Sequence, residues 1–181
     1  YKGSGFEDQI RQYHIANQGI SRFVKFRHIA ANMLQKDITE EEVQDLGNQF
    51  SAIVLQKVLV APFVPGAEQL LQFLKSHSKY TVVASGTPEE ELLEVVSQRK
   101  LGGYFDEVHG SPKSKSGIIE SVLDRKKFSK SACIFFGDAT TDYEAARQTG
   151  IAFFARWTEE LAPYWATHPA DFSSPHFQNI L

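Results

Sequence analysis

One stretch limits the possible folds more than any other: Ser131-Ala132-Cys133-Ile134-Phe135-Phe136-Gly137-Asp138-Ala139-Thr140-Thr141-Asp142. Its first half is apolar without polar alternation, the pattern of a parallel strand covered on both faces. Gly137 ends the strand, and Asp138 and Asp142 follow with three residues between them. Thr140 or Thr141 is placed to cap a helix that begins at Asp142 and stops at Gly150. Two carboxylates therefore stand just beyond the carboxyl end of a strand, where open α/β sheets bind their ligands. Hard oxygen ligands that leave room for water are what Mg²⁺ requires. A single Asp at such a turn is accounted for by helix capping; Gly-Asp with a second Asp four residues on is accounted for less well.

The residues before this stretch divide in two. From Phe6 to about Val60 the periodicity is helical. A first run carries Ile10, Tyr13 and His14 and breaks at Gly19, and a second has Phe23, Phe26, Ile29, Ala30 and Met33 on one face. A third opens on Thr39 with Glu42 three residues later, the signature of a capping box. Two prolines and a glycine in Ala61-Pro62-Phe63-Val64-Pro65-Gly66 mark a boundary. Residues 1–62 are expected to form a helical lobe and residues 63–181 an α/β unit. Within the latter, Tyr80 to Ala84 reads as a buried strand. Thr87 is then expected to cap a helix, with Pro88 at its first position and Glu90 closing the box. Ile151 to Ala155 is a further strand, and the tail from Asp171 could add an edge strand and, over 176–181, a last helical turn. The order βαβαβαβ implies right-handed crossovers, a Rossmann-like parallel sheet and helices on both faces.

The informative loops leave the strands at one end of that sheet. Ser85, with the backbone amides of Gly86 and Thr87, is placed to hold an anion. Lys113 or Lys115 supplies a cation at a helix start, where its charge opposes the helix dipole and calls for an anion nearby. Lys115 is the better placed, because Lys113 follows Pro112 and points outward. Asp138 and Asp142 supply a metal. Anion cradle, cation and Mg²⁺ ligands are the parts phosphoryl transfer needs, since its catalysis is mostly positioning and charge neutralisation. A net charge of −3 gives no reason to expect nucleic acid or an anionic membrane as partner, and no apolar stretch is long enough to span a bilayer. The single cysteine, Cys133, lies in an apolar run as a buried small hydrophobe, a usage that fits a reducing, cytoplasmic setting. No motif sets an oligomeric state.

With these residues in this order, the sequence resembles the haloacid dehalogenase superfamily of phosphohydrolases, in its beta-phosphoglucomutase and phosphoglycolate phosphatase-like branch. Val82-Val83-Ala84-Ser85-Gly86 is similar to the second motif of that family, Lys115 (or Lys113) to the third, and Gly137-Asp138 with Asp142 to the fourth. The helical lobe is similar to the family's cap, and Gly19-Ile20-Ser21-Arg22 to a cap loop whose Arg reaches the substrate. The resemblance implies a Mg²⁺-dependent phosphatase for a small phosphorylated metabolite, working through an aspartyl-phosphate. Ser85 would donate to the phosphoryl oxygens and Lys115 would stabilise charge on nucleophile and phosphate. Asp138 would bind Mg²⁺, and Asp142 would hold the metal's waters or orient Lys115. It also implies a cap that closes as a lid. A phosphomutase of the same build, and a binding module without turnover, are the alternatives.

One feature of that family is missing. Its nucleophile lies in a motif Asp-x-Asp-x-Thr/Val on a strand before the cap, and no such motif occurs in these residues. In the family that strand lies between those ending at Ser85 and Asp138, so two strand edges would be left without a neighbour. The expectation is that the natural chain extends upstream of Tyr1 by about a strand and a turn, and that residues 1–181 alone are inactive.

Overall fold

In the computed structural model, residues 1–178 and 180 are described. Three helices come first: α1 (Glu7–Ala16), α2 (Arg22–Asn32) and α3 (Glu40–Val60). The start of α3 is the capping box read from the sequence. Thr39 Oγ1 accepts the Glu42 amide at 3.2 Å, and Glu42 accepts the Thr39 amide at 2.8 Å. The α2 helix packs on α3 through Phe26, whose ring meets that of Phe50 edge-on, and α3 in turn lies against α5 (Glu89–Gln98).

The remaining elements alternate as expected: α4 (Ala67–Ser76), β1 (Val82–Pro88), α5, β2 (Glu107–Ser111), α6 (Lys115–Lys126), β3 (Ile134–Gly137), α7 (Thr140–Thr149), β4 (Ala152–Arg156), α8 (Ala162–Thr167) and β5 (Phe172–Ser174). Every strand pairing is parallel, which confirms the α/β class. Among the described residues, however, the strands form two sheets, β1-β2 and β3-β4-β5, rather than one. The apolar core belongs to the second of these. Phe153 and Ala146 are fully buried there, packed with Leu123, Ile151, Leu161 and Trp165.

Three expectations about strand burial and helix caps are corrected. First, β1 and β3 are not covered on both faces. Every residue of β1 is only half-buried, and so are Phe135 to Gly137 of β3, because one edge of each strand borders an open cleft, while Ile134, outside that cleft, is 40% exposed; the deeply buried strand is β4. Second, Thr87 does not cap a helix. The strand continues through Pro88, and α5 starts at Glu89 with no side-chain cap. Third, neither Thr140 nor Thr141 is a cap. Ala139 holds that position, and Asp142, three residues into the turn, takes the amide bonds instead. The edge strand in the tail forms as β5. The last helical turn expected over 176–181 falls partly on Asn179 and Leu181, which lie outside the described residues. Cys133 is half-exposed rather than buried, its thiol directed at the Ser129 carbonyl at 3.4 Å. Among the described residues, no helix is long and apolar enough to cross a membrane.

Candidate active site

The cleft that borders β1 and β3 has a volume of about 1050 Å³. Its floor is formed by the carboxyl ends of β1, β3 and β4, and its roof by the first two helices and the loop between them. Ser85, Gly86, Thr87, Lys115, Asp138, Asp142 and Arg22 all line it, so loops far apart in sequence meet there.

At the end of β1 the register with β2 slips between Ala84 and Pro88. Such a bulge re-aims a side chain out of the strand's alternation. It falls on Ser85, whose Oγ accepts the Thr87 amide at 3.1 Å and so keeps its own hydrogen for another acceptor. Gly86 leaves space for the lobe: a Cβ on it would stand 2.5 Å from the Gly19 carbonyl oxygen.

Lys115 is the first residue of α6, behind Ser114, which caps the helix by accepting the Gly117 amide at 3.1 Å. A cation there opposes the helix dipole, and Asp142 offsets it. One Asp142 oxygen pairs with the Lys115 ammonium, and the other accepts the amides of Asp138 at 3.2 Å and Ala139 at 3.1 Å. Both side chains of the pair are nearly buried, at 12% and 8% exposure. Gly137 is required beside them, because a Cβ at that position would overlap the Asp142 side chain. Asp142 therefore fixes where the lysine points. Lys115 also donates to Thr141 Oγ1 at 3.3 Å, and Thr141 donates to the Gln18 carbonyl at 3.2 Å, which ties the lobe to the strand ends.

Asp138 differs from its neighbour. Among the described residues no side chain hydrogen-bonds to its carboxylate. Burial, and then the nearby Asp142 charge, raise its pKa, against the opposing pull of Arg156 and Lys115. A carboxylate in that position gains from any added cation. Among the described residues, no group of three or more His, Cys, Asp or Glu side chains is gathered to hold a metal ion. The donor set is thus one carboxylate open to the cleft, which fits an ion that keeps most of its waters and takes phosphate oxygens.

Two candidates from the sequence are placed differently from the rest. Lys113 is half-exposed, pairs with Glu89 at 3.0 Å and faces a separate cavity beside Glu107, His109 and Arg125. Arg22 reaches the cleft, but its guanidinium is held by Glu91 at 2.8 and 2.9 Å and by Ser51 at 2.7 Å, and it lies over the Phe50 ring. Arg156, which the sequence reading passed over, also lines the cleft from the end of β4, and among the described residues its buried Nε has no hydrogen-bond partner. The available signal was a charged residue directly after the apolar run 151–155, at the same end of the sheet as Asp138.

Comparison with known proteins bears on this arrangement. The profile of the haloacid dehalogenase-like hydrolases matches residues 4–156. The chain belongs to that family. Over 92 residues it is 32% identical to a phosphorylated carbohydrates phosphatase of Thermotoga maritima, covering 48% of this chain and 43% of that protein. Over 150 residues it is 27% identical to a phosphoglycolate phosphatase of Synechococcus elongatus, covering 81% of this chain and 67% of the relative. The chain thus spans less than half the length of the first of these. Two solved structures share the fold at 16% identity. One is a HAD hydrolase from Entamoeba histolytica, with a TM-score of 0.77 over 97% of this chain and 79% of the other. The second is a beta-phosphoglucomutase from Clostridium difficile, with a TM-score of 0.76 over 94% and 78%.

Proposed function

We propose that the protein is a Mg²⁺-dependent phosphatase for a small phosphomonoester. The observation that carries this reading is the meeting of Ser85, Lys115 and Asp138 in one cleft at the strand ends, with Lys115 fixed by Asp142. Asp138 would hold Mg²⁺, which supplies charge neutralisation to the transferring phosphoryl group. Ser85 donates its free hydroxyl hydrogen to a phosphoryl oxygen, and Lys115 places a fixed positive charge against the developing negative charge. Asp142 is a positioning residue, with its two oxygens committed to Lys115 and to two backbone amides. The raised pKa of Asp138 falls back once a cation binds, so metal binding and deprotonation support one another.

In this reading a carboxylate attacks phosphorus, the phosphorus–ester oxygen bond breaks, and the alcohol leaves with a proton. Water then cleaves the acyl phosphate to release inorganic phosphate and restore the carboxylate. Residues 1–181 contain no Asp-x-Asp-x-Thr/Val motif. We assign the nucleophile to an extended segment pairing with the edges of β1 and β3 that border the cleft. Helices α1–α3 (within residues 1–62) act as the cap and residues 63–181 as the core. The test is phosphate release from an aryl phosphate by the full-length gene product, with and without Mg²⁺. Turnover is expected only with the metal, none is expected from residues 1–181 alone, and Asp138→Asn should abolish it. Metal-independent turnover, or near-normal activity in Asp138→Asn, would overturn the reading.

A further inference from the structure

At the bulge that presents Ser85, three residues of β1 stand against a single residue of β2. Ala84 pairs with His109 and Pro88 with Ser111, so Ser85, Gly86 and Thr87 all face Gly110. A ladder interrupted in this way slips back towards regular pairing unless something outside it holds the register. The Glu89 side chain is placed to do so. Its Oε2 accepts the Gly110 amide at 3.1 Å, and its two oxygens accept the Lys113 ammonium at 3.3 and 3.0 Å. Gly110 is buried against the same backbone: a Cβ on it would stand 2.5 Å from the Thr87 carbonyl oxygen and from Glu89 Cα. Lys113 is steadied from the strand as well, with Nζ 3.4 Å from His109 Nδ1, while His109 Nε2 meets Glu107 at 2.7 Å. The Lys113 ammonium, and after it the Gly110 amide, keep the Glu89 carboxyl below its ordinary range, so the contact persists at neutral pH.

Glu89, Gly110 and Lys113 lie on the β2 side of β1 and do not line the cleft. They nonetheless join its two loops. Glu89 opens α5 directly after the bulge, and Lys113 precedes Lys115 with only the capping Ser114 between them. We propose that Glu89 and Lys113 are positioning residues for phosphoryl transfer, a clamp behind the cleft that fixes the spacing between the Ser85 hydroxyl and the Lys115 ammonium. The proposal rests on the phosphatase reading of the cleft. It gives Lys113, the rival to Lys115 as the cation, a role exerted through Glu89 rather than on the substrate. Ser85 and Lys115 must meet one phosphoryl group from two different loops, and a misplacement of about 1 Å costs rate on the order of a hundredfold. Stabilising charge in the transition state depends on that spacing more than holding the substrate does, so the clamp acts on kcat rather than on KM.

Steady-state kinetics of the full-length gene product on para-nitrophenyl phosphate in Mg²⁺ test this. Glu89→Ala is expected to lower kcat by about tenfold to a hundredfold, with KM within about twofold of the parent. Glu89→Gln keeps an oxygen for the Gly110 amide and is expected to lose less. Lys113→Met is expected to lower kcat by about threefold to tenfold in the parent. In the Glu89→Ala background it should add nothing, because it acts through Glu89. Lys113→Arg preserves the ion pair and is expected to retain kcat. Glu90→Gln, an equal change of charge at the exposed next residue, is the control and should leave kcat unchanged. The Glu89–Lys113 pair is half-exposed and adds little stability, so the urea midpoint of Lys113→Met is expected within about 0.5 M of the parent. Unchanged kcat in Glu89→Ala, or a rise in KM with kcat intact, would overturn the clamp and leave the phosphatase reading standing. So would a Lys113→Met loss as large in the Glu89→Ala background as in the parent, or a loss of rate matched by a loss of stability. No Mg²⁺-dependent turnover by the parent would overturn both.

Discussion

Replacing Lys115 by Met is expected to cost stability as well as activity, by an amount set by what it leaves behind. The lysine and Asp142 are nearly buried, at 12% and 8% exposure. Removing one member of such a pair commonly costs about 3–5 kcal/mol, most of it from the charge left unpaired. Asp142 retains two amide hydrogen bonds and sits in the first turn of α7, where the helix dipole favours a negative charge. These contacts lower the expected loss to about 2–3 kcal/mol. With a urea m-value of about 2 kcal/mol per molar, the unfolding midpoint falls by about 1–1.5 M. The double variant Lys115→Met with Asp142→Asn removes the stranded charge and is expected to recover about half of that loss. Urea unfolding followed by circular dichroism measures all four corners of the cycle. A single variant whose midpoint stays within about 0.3 M of the parent would show that the pair is solvated and does not lock the lysine in place.

Other outcomes follow from single contacts. Thr39→Ala removes the capping box of α3 and is expected to cost about 1 kcal/mol in the same assay, and a change indistinguishable from zero would contradict the cap. The Glu107 carboxyl is held down to about 2 by Arg125, Tyr80 and His109, below its ordinary 4.5. Its stabilisation is therefore complete above about pH 4.5 and is lost as pH falls towards 2, for a total of about 1 kcal/mol because Arg125 is half-exposed. The decline in unfolding midpoint between about pH 5 and pH 3 is expected to be shallower in Glu107→Gln. If the variant tracks the parent over that range, the assignment is wrong. Glu91→Gln breaks the bidentate hold on Arg22 and is expected to speed amide exchange around Gly19 to Arg22; unchanged exchange would mean that this pair does not hold the lobe.

The sequence was legible where local chemistry decides structure. The Thr39–Glu42 box, the glycine stops, and the Gly-Asp turn after an apolar run each depend on residues within one turn of one another. The gathering of Ser85, Lys115 and Asp138 was legible too, because parallel strands send their following loops to one end of a sheet. What escaped was set by tertiary approach. Thr87 reads as a cap, yet it stays in an extended bulge because the Gly19 loop packs against Gly86. The sequence leaves Asp142 between holding the metal's waters and orienting Lys115, and only the contact with Lys115 shows that one of its oxygens is committed to that ammonium and the other to two backbone amides. Arg22 reads as a substrate contact until Glu91, far along the chain, is seen to hold it. The cleft edges of β1 and β3 leave those strands half-buried despite their apolar sequences, since periodicity reports side-chain chemistry and not the number of neighbouring strands.

The most direct test of the account is a crystal soaked with Mn²⁺ in place of Mg²⁺ together with a phosphate analogue, read by anomalous scattering. The account predicts a metal peak at the Asp138 carboxylate and an oxyanion between Ser85 Oγ and the Lys115 ammonium. A metal bound elsewhere, or an oxyanion beside Lys113 in the cavity with Glu107 and Arg125, would contradict it.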